Sequence, residues 1–238
     1  PLYAIGLNDL GLLYLKTARL EEAEEFLQRA MTIRKQVYGT THYEYANSLN
    51  NLAALYIEKA QYEKAEPLLN ESVKITEKLV NKDHALYAER LSNVAALHVR
   101  LGQYEKAEPL YLEVLELRKK VLGDIHPDYA YTLNDLAILY QLLRKYEKAA
   151  PYLEEAIAIR KKAFGTNSVE YFKVMESLAA FYGATGRFEK AEPLYLEILA
   201  FRKKTVGEFH PEYADCLANL ATLYVNKGRT DKAEQLFL

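Results

Sequence analysis

Apolar residues recur along this chain with two nested periods. At short range, Leu133, Leu136, Ala137 and Tyr140 stand at i, i+3, i+4 and i+7, the apolar stripe of an amphipathic helix. At long range the pattern returns every 42 residues. Tyr3, Tyr45, Tyr87, Tyr129, Tyr171 and Tyr213 keep that spacing, as do Ala23, Ala65, Ala107, Ala149, Ala191 and Ala233. Leu10, Leu52, Val94, Leu136, Leu178 and Leu220 form a third ladder. His42, His84, His126 and His210 form a fourth, with Ser168 in the remaining slot. The chain divides into repeats 1–41, 42–83, 84–125, 126–167 and 168–209 and a partial repeat 210–238.

The pattern predicts two helices per repeat. In 126–167, His126-Pro127 opens the first, because proline fits a first turn whose N–H groups have no intrahelical acceptor. A break at Leu143-Arg144-Lys145 follows. Tyr146 to about Phe164 forms the second helix, with Ala149, Leu153, Ala156, Ile157 and Ile159 inward. Gly165 ends it as a left-handed cap. Gly39, Gly123 and Gly207 are its equivalents, and Asn81, the next-best residue for that conformation, stands in 42–83. Pro67, Pro109, Pro151 and Pro193 fall about five residues into the second helices, late enough to predict a slight bend. Tandem helix pairs bury their apolar faces only by stacking on neighbours. Ala53, Ala95, Ala137, Ala179 and Ala221 allow close approach within a pair, beside Tyr56, Tyr140, Tyr182 and Tyr224, with His98 as the exception. The expected fold is all-α: a right-handed α-solenoid of tandem antiparallel helix pairs, one domain over 1–238. First helices line its concave face and second helices its convex face.

Composition narrows the function classes. Half of the 238 residues are hydrophobic, ample for a core. Lys and Arg total 31 against 33 Asp and Glu, a formal charge of −2 that gives no footprint for nucleic acid or an anionic membrane. No apolar run approaches the roughly 20 residues that span a bilayer. The single cysteine, Cys216, excludes an internal disulfide and a multi-cysteine zinc site, and is read as a buried inert thiol. With no basic-then-apolar leader, a cytoplasmic location is expected. Pro1-Leu2-Tyr3 and Leu236-Phe237-Leu238 read as the ends of a piece of a larger protein.

No chemistry-bearing motif interrupts the repeats. The ladder histidines sit in successive repeats roughly 10 Å or more apart, too far to share a metal at about 2 Å, so they are read as caps. No nucleotide loop, Gly-x-Ser-x-Gly, His-Glu-x-x-His or Cys-x-x-Cys occurs. No catalytic residue, metal or cofactor is therefore expected. His98 replaces a packing tyrosine and is read as a core residue. The Arg-Lys-Lys runs beginning at Arg118, Arg160 and Arg202 are read as compensating helix dipoles, and their spacing predicts a basic stripe.

Gly123-Asp124-Ile125-His126-Pro127-Asp128-Tyr129-Ala130, Leu133-Asn134-Asp135-Leu136-Ala137-Ile138-Leu139-Tyr140 and Lys145-Tyr146-Glu147-Lys148-Ala149 resemble the tetratricopeptide repeat, as does Gly207 to Tyr224. The usual period is about 34 residues. The longer form here is similar to the repeat of kinesin light chains. The resemblance covers the whole chain and implies a non-catalytic module that binds a protein or peptide in its concave groove. An alternative is a spacer, sensor arm or self-assembly surface for an attached effector domain, with end-to-end self-association through uncapped terminal repeats.

The resemblance places candidate groove residues on the first helices: Asn8, Asn47, Asn50, Asn51, Asn93, Arg100, Tyr131, Asn134, Asp135, Gln141, Lys173 and Asn219. An asparagine amide both donates and accepts, so it can hold the backbone of an extended peptide whatever its side chains. The same amides also suit hydrogen bonding between repeats, and both roles stay open. Asp9, Glu58, Glu89, Asp135, Glu176 and Asp215 against Arg100 and Lys173 make the groove mildly acidic, favouring a neutral or basic ligand. The fifth repeat, with Ser168, Val169 and Phe172, is the most divergent and is read as a hinge or a separate docking place.

Overall fold

A computed structural model describes residues 2–236; Pro1, Phe237 and Leu238 lie outside the described residues, and with them two residues of the apolar close. The chain forms two compact units, 1–123 and 124–238. The first holds α1 (Leu2–Lys16), α2 (Leu20–Tyr38), α3 (Tyr43–Glu58), α4 (Tyr62–Val80), α5 (Ala85–Arg100) and α6 (Tyr104–Leu122). The second holds α7 (Pro127–Leu142), α8 (Tyr146–Phe164), α9 (Val169–Ala184), α10 (Phe188–Thr205), α11 (Pro211–Asn226) and α12 (Thr230–Gln235). Among the described residues there is no strand. Each unit contains three repeats, and in each repeat the two helices pack on one another. Second helices then pack on the next first helix: α2 on α3 and α4 on α5 in one unit, α8 on α9 and α10 on α11 in the other.

The start signals act as expected. His42, His84, His126 and His210 are N-caps whose Nδ1 accepts from the backbone N–H two residues on. Ser168 takes over through its hydroxyl, accepting from the Tyr171 N–H at 3.3 Å. This satisfies one of the orphan donors of each first helix. At the far end of the second helices, Gly39, Asn81, Gly123, Gly165 and Gly207 all have positive φ. The helices run continuously through Pro67, Pro109, Pro151 and Pro193.

The turn between the two helices of a repeat carries a signal the sequence reading passed over. Ala18, Ala60, Gly102, Arg144, Gly186 and Gly228 all have positive φ, again 42 residues apart. The following N–H reaches back to close the helix: Gln61 N donates to Tyr56 O at 2.7 Å and Lys145 N to Tyr140 O at 2.8 Å. This six-to-one bond is the Schellman closure, which requires one left-handed residue. The chain adopts it even where that residue is alanine or arginine.

Small residues set the spacing of the pairs. Ala53, Ala95, Ala137 and Ala179 are completely buried, and Ala221 almost so. Gly11 holds the same place in α1, where a Cβ would lie 2.6 Å from Leu27 Cγ. Leu52, Val94, Leu136 and Leu220 are buried, whereas Leu10 is exposed on α1. Each fully buried large side chain stabilises the stack by roughly 1.5–3 kcal/mol. Cys216 is buried, and burial with the nearby Glu176 carboxylate pushes its thiol up to about 11. His98 is buried with Nδ1 2.9 Å from Gln103 Oε1.

Candidate functional site

In the first unit the candidate amides bond to one another. Asn51 Nδ2 donates to Asn8 Oδ1, and Asn93 Nδ2 donates to Asn50 Oδ1, both at 2.8 Å. Successive first helices are thus tied side chain to side chain. Asn8 is buried and also accepts weakly from Arg34. Asn47 accepts from Arg90 Nη2 at 2.8 Å. These bonds use part of the amides' capacity within the fold. Arg100, at the end of α5, is exposed.

The second unit has open clefts along its first helices. One of about 390 Å³ runs between α7, α9 and α11, lined by Ile138, Gln141, Leu142, Glu176, Ser177, Ala180 and Asn219. It shares Glu176 and Asn219 with a smaller polar cavity of about 190 Å³ that also holds Lys173, Arg202, Glu212 and Asp215. Asn219 reaches a third cleft with Thr222 and Asn226. Of the candidate residues, Gln141 lines the first of these clefts, Lys173 the smaller cavity beside it, and Asn219 all three. Tyr131 stands outside these clefts with its ring against Arg160. Asn134 is half-buried, and its Oδ1 is buried without a partner. Asp135 is half-buried on α7.

The arginine runs require a correction. Their lysines are exposed, but Arg118, Arg160 and Arg202 are buried, as is Arg34 earlier in the same ladder. A helix end offers only partial negative charge, so the buried guanidinium is drawn instead to polar groups of the flanking first helices. Arg34 Nη1 donates to Ser48 Oγ at 3.0 Å, and its Nη2 lies 2.9 Å from Glu44 Oε2. Arg202 donates through Nη2 to Glu176 Oε1 at 2.9 Å and through Nη1 to Glu212. The predicted basic stripe is thus made of lysines alone.

Residues 14 apart show why these arginines fit. Arg34 faces Ser48, and the corresponding pairs are Thr76 with Arg90, Arg160 with Val174 and Arg202 with Cys216. Where the second helix carries threonine, the arginine has moved to the opposite helix: Arg90 is buried and bonds Asn47 and Glu89. In sequence, each of these pairs joins one large cation with one smaller residue. Glu89 and Glu176 are each paired with a buried arginine of the fold, and the acidic lining is weaker than the count of carboxylates implies.

Arg160 departs from this rule. It is buried, yet Nε, Nη1 and Nη2 have no hydrogen-bond partner. Its guanidinium carbon lies 3.6 Å from the Tyr131 ring centroid and 5.5 Å from that of Phe164. Such stacking is worth about 2 kcal/mol when desolvated, against roughly 1.5–3 kcal/mol for each hydrogen bond a charged group makes.

Among the described residues no cluster of three or more His, Cys, Asp or Glu is arranged to hold a metal, and no helix is long and apolar enough to cross a membrane. None of the curated proteins matches the chain. Solved structures share its fold. A Podosopora anserina kinesin light chain with nearly identical TPR-like repeats is 25% identical, with a TM-score of 0.67 over 84% of this chain and 95% of that one. BtubC (BKLC) from P. vanneervenii is 24% identical, with a TM-score of 0.70 over 92% and 85%. A Rap protein complexed with Competence and Sporulation Factor is 16% identical, with a TM-score of 0.73 over 99% and 73%. The tetratricopeptide repeat model matches residues 2–78, 85–162 and 170–238. With helix pairs, caps and period agreeing, the chain belongs to the tetratricopeptide repeat family, in a long form like that of kinesin light chains.

Proposed function

We propose that this chain is a non-catalytic, cytoplasmic interaction module that holds a neutral or basic peptide or partner segment in the groove of its first helices. The observation that carries this reading is the open cleft along α7, α9 and α11. There the amides of Gln141 and Asn219 flank the apolar Ile138, Leu142 and Ala180. Amides hold a ligand backbone and the apolar wall receives its side chains. Asp215 beside this groove favours basic ligand residues. The Rap protein of similar fold, solved with Competence and Sporulation Factor, supports a ligand-binding role.

Panning a random peptide library against the chain and a Gln141→Ala/Asn219→Ala variant tests this. Lost amide bonds weaken binding by about 0.5–1.5 kcal/mol each. Peptides selected by the parent and released by the folded variant support the groove. No selection, or equal retention by both, overturns it.

A second reading, self-association, is favoured by one observation. The helix α1 exposes Leu2, Tyr3, Ile5, Leu10 and Leu13, apolar side chains that a second copy could cover. Mass in solution across a concentration range tests it, and a strict monomer throughout rejects it.

A further inference from the structure

We propose that Arg160 is a receptor for one carboxylate of the bound segment, with the Tyr131 ring as its removable cover. The proposal rests on the groove reading above and adds the chemistry of one ligand group.

A buried guanidinium with three unpartnered nitrogens is an incomplete site. The repeat supplies the comparison. At Arg202 the completing groups are Glu176 and Glu212, with Asp215 lining the same cavity. One repeat earlier, the residue in the place of Glu176 is Asn134 and the residue in the place of Asp215 is Lys173. Glu170 keeps the place of Glu212 but makes no bond to Arg160. Two carboxylate positions have become an amide and an ammonium. The site around Arg160 is therefore short of negative charge, and its guanidinium offers the planar fork that matches a carboxylate. Asn134, whose equivalent Asn8 touches Arg34 at 3.4 Å, stands where its Nδ2 can donate to that carboxylate.

Access depends on Tyr131. In the next repeat its place is taken by Lys173, which leaves an open cavity over Arg202. Here the tyrosine lies on the guanidinium while 42% of the residue remains exposed. Binding at Arg160 requires this half-exposed ring to swing outward. The carboxylate comes from a ligand C-terminus or from an Asp or Glu side chain, and either is compatible with a segment that is otherwise neutral or basic.

The test uses the full chain and three pools of N-acetylated octapeptides: free acids lacking Asp and Glu, the same sequences as C-terminal amides, and amides carrying one Asp. Binding is measured on the parent, Arg160→Met and Tyr131→Ala, with circular dichroism as the folding control. The free-acid pool, the Asp pool or both should bind the parent about tenfold more tightly than the plain amides, the scale of one added charge-assisted interaction. The pool that gains identifies the carboxylate source. The gain should vanish in Arg160→Met and grow in Tyr131→Ala. Should Arg160→Met not fold, the Tyr131→Ala gain and movement of the Arg160 Nε–H resonance by carboxylate pools alone decide the matter. Pools that bind alike overturn the proposal and leave the groove standing, as does a gain that survives in Arg160→Met. Failure of all three pools to bind overturns the groove reading too.

Discussion

Arg202 and Arg160 occupy the same place in consecutive repeats, and their surroundings differ in the groups that meet the guanidinium. Arg202 is held by Glu176 from its own repeat and Glu212 from the next, whereas Arg160 has a tyrosine ring and no hydrogen bond. The scaffold is the same in both, with second helix, flanking first helices and a small residue opposite the cation. The repeat therefore supplies a buried place for a guanidinium, and individual substitutions decide whether the fold itself completes its hydrogen bonds.

Removing each cation separates the two cases most sharply. Arg202→Met strands Glu176 and Glu212, and should cost about 2 kcal/mol, below the roughly 3–5 kcal/mol typical of fully buried pairs because both carboxylates are partly exposed. Arg160→Met removes an uncompensated buried charge and should leave stability unchanged or raise it by about 1 kcal/mol. Urea unfolding of both variants checks this, and equal losses would erase the distinction.

Cys216 gives the Arg202 junction a chemical reporter. With its thiol pushed up to about 11, only about one part in a thousand is thiolate at about pH 8. Burial adds to this protection. Alkylation by iodoacetamide at that pH should run about two orders of magnitude slower in the native chain than in urea. A native rate near the unfolded one would mean that the junction opens freely.

The first unit allows the packing rule itself to be tested. Arg90→Thr should leave a void opposite Thr76 and cost about 1.5 kcal/mol. Adding Thr76→Arg restores the arrangement of Arg34 opposite Ser48 and should recover more than half of that loss. Additive losses in the double variant, measured by urea unfolding, would show that the two positions do not share one site.

The helices, their caps and the period were legible because each rests on local chemistry repeated without interruption. A histidine N-cap or an alanine seam needs no knowledge of distant contacts. The buried arginines were hidden by their neighbours. Arg160-Lys161-Lys162 reads as one basic run, and only helical phase separates a buried guanidinium from two solvated ammoniums. The signal lay in residues 14 apart, where a large cation on one helix is matched by a smaller residue on the other, a pairing between helices that neither helical pattern displays alone. The groove amides were ambiguous for a related reason. Asn51 and Asn93 carry the right chemistry for a ligand backbone, but the same geometry brings each to the amide of the preceding repeat.

The smallest expected effect concerns the turns. Arg144 and Gly186 both hold the positive-φ residue of the Schellman closure, at 55° and 71°. A side chain in this region crowds its own carbonyl and costs roughly 1 kcal/mol, a cost glycine does not bear. Arg144→Gly should therefore stabilise the second unit, less the extra entropy glycine brings to the unfolded chain, a net gain of about 0.5 kcal/mol. Gly186→Ala should lose about 1 kcal/mol, although nothing lies within 4 Å of a Cβ there and no clash contributes. Thermal unfolding of the two variants reads both signs. Destabilisation by Arg144→Gly would mean that Arg144 makes a contribution through its side chain that outweighs the backbone, and the turn would then have to be counted among the places where a repeat position has taken on a role of its own.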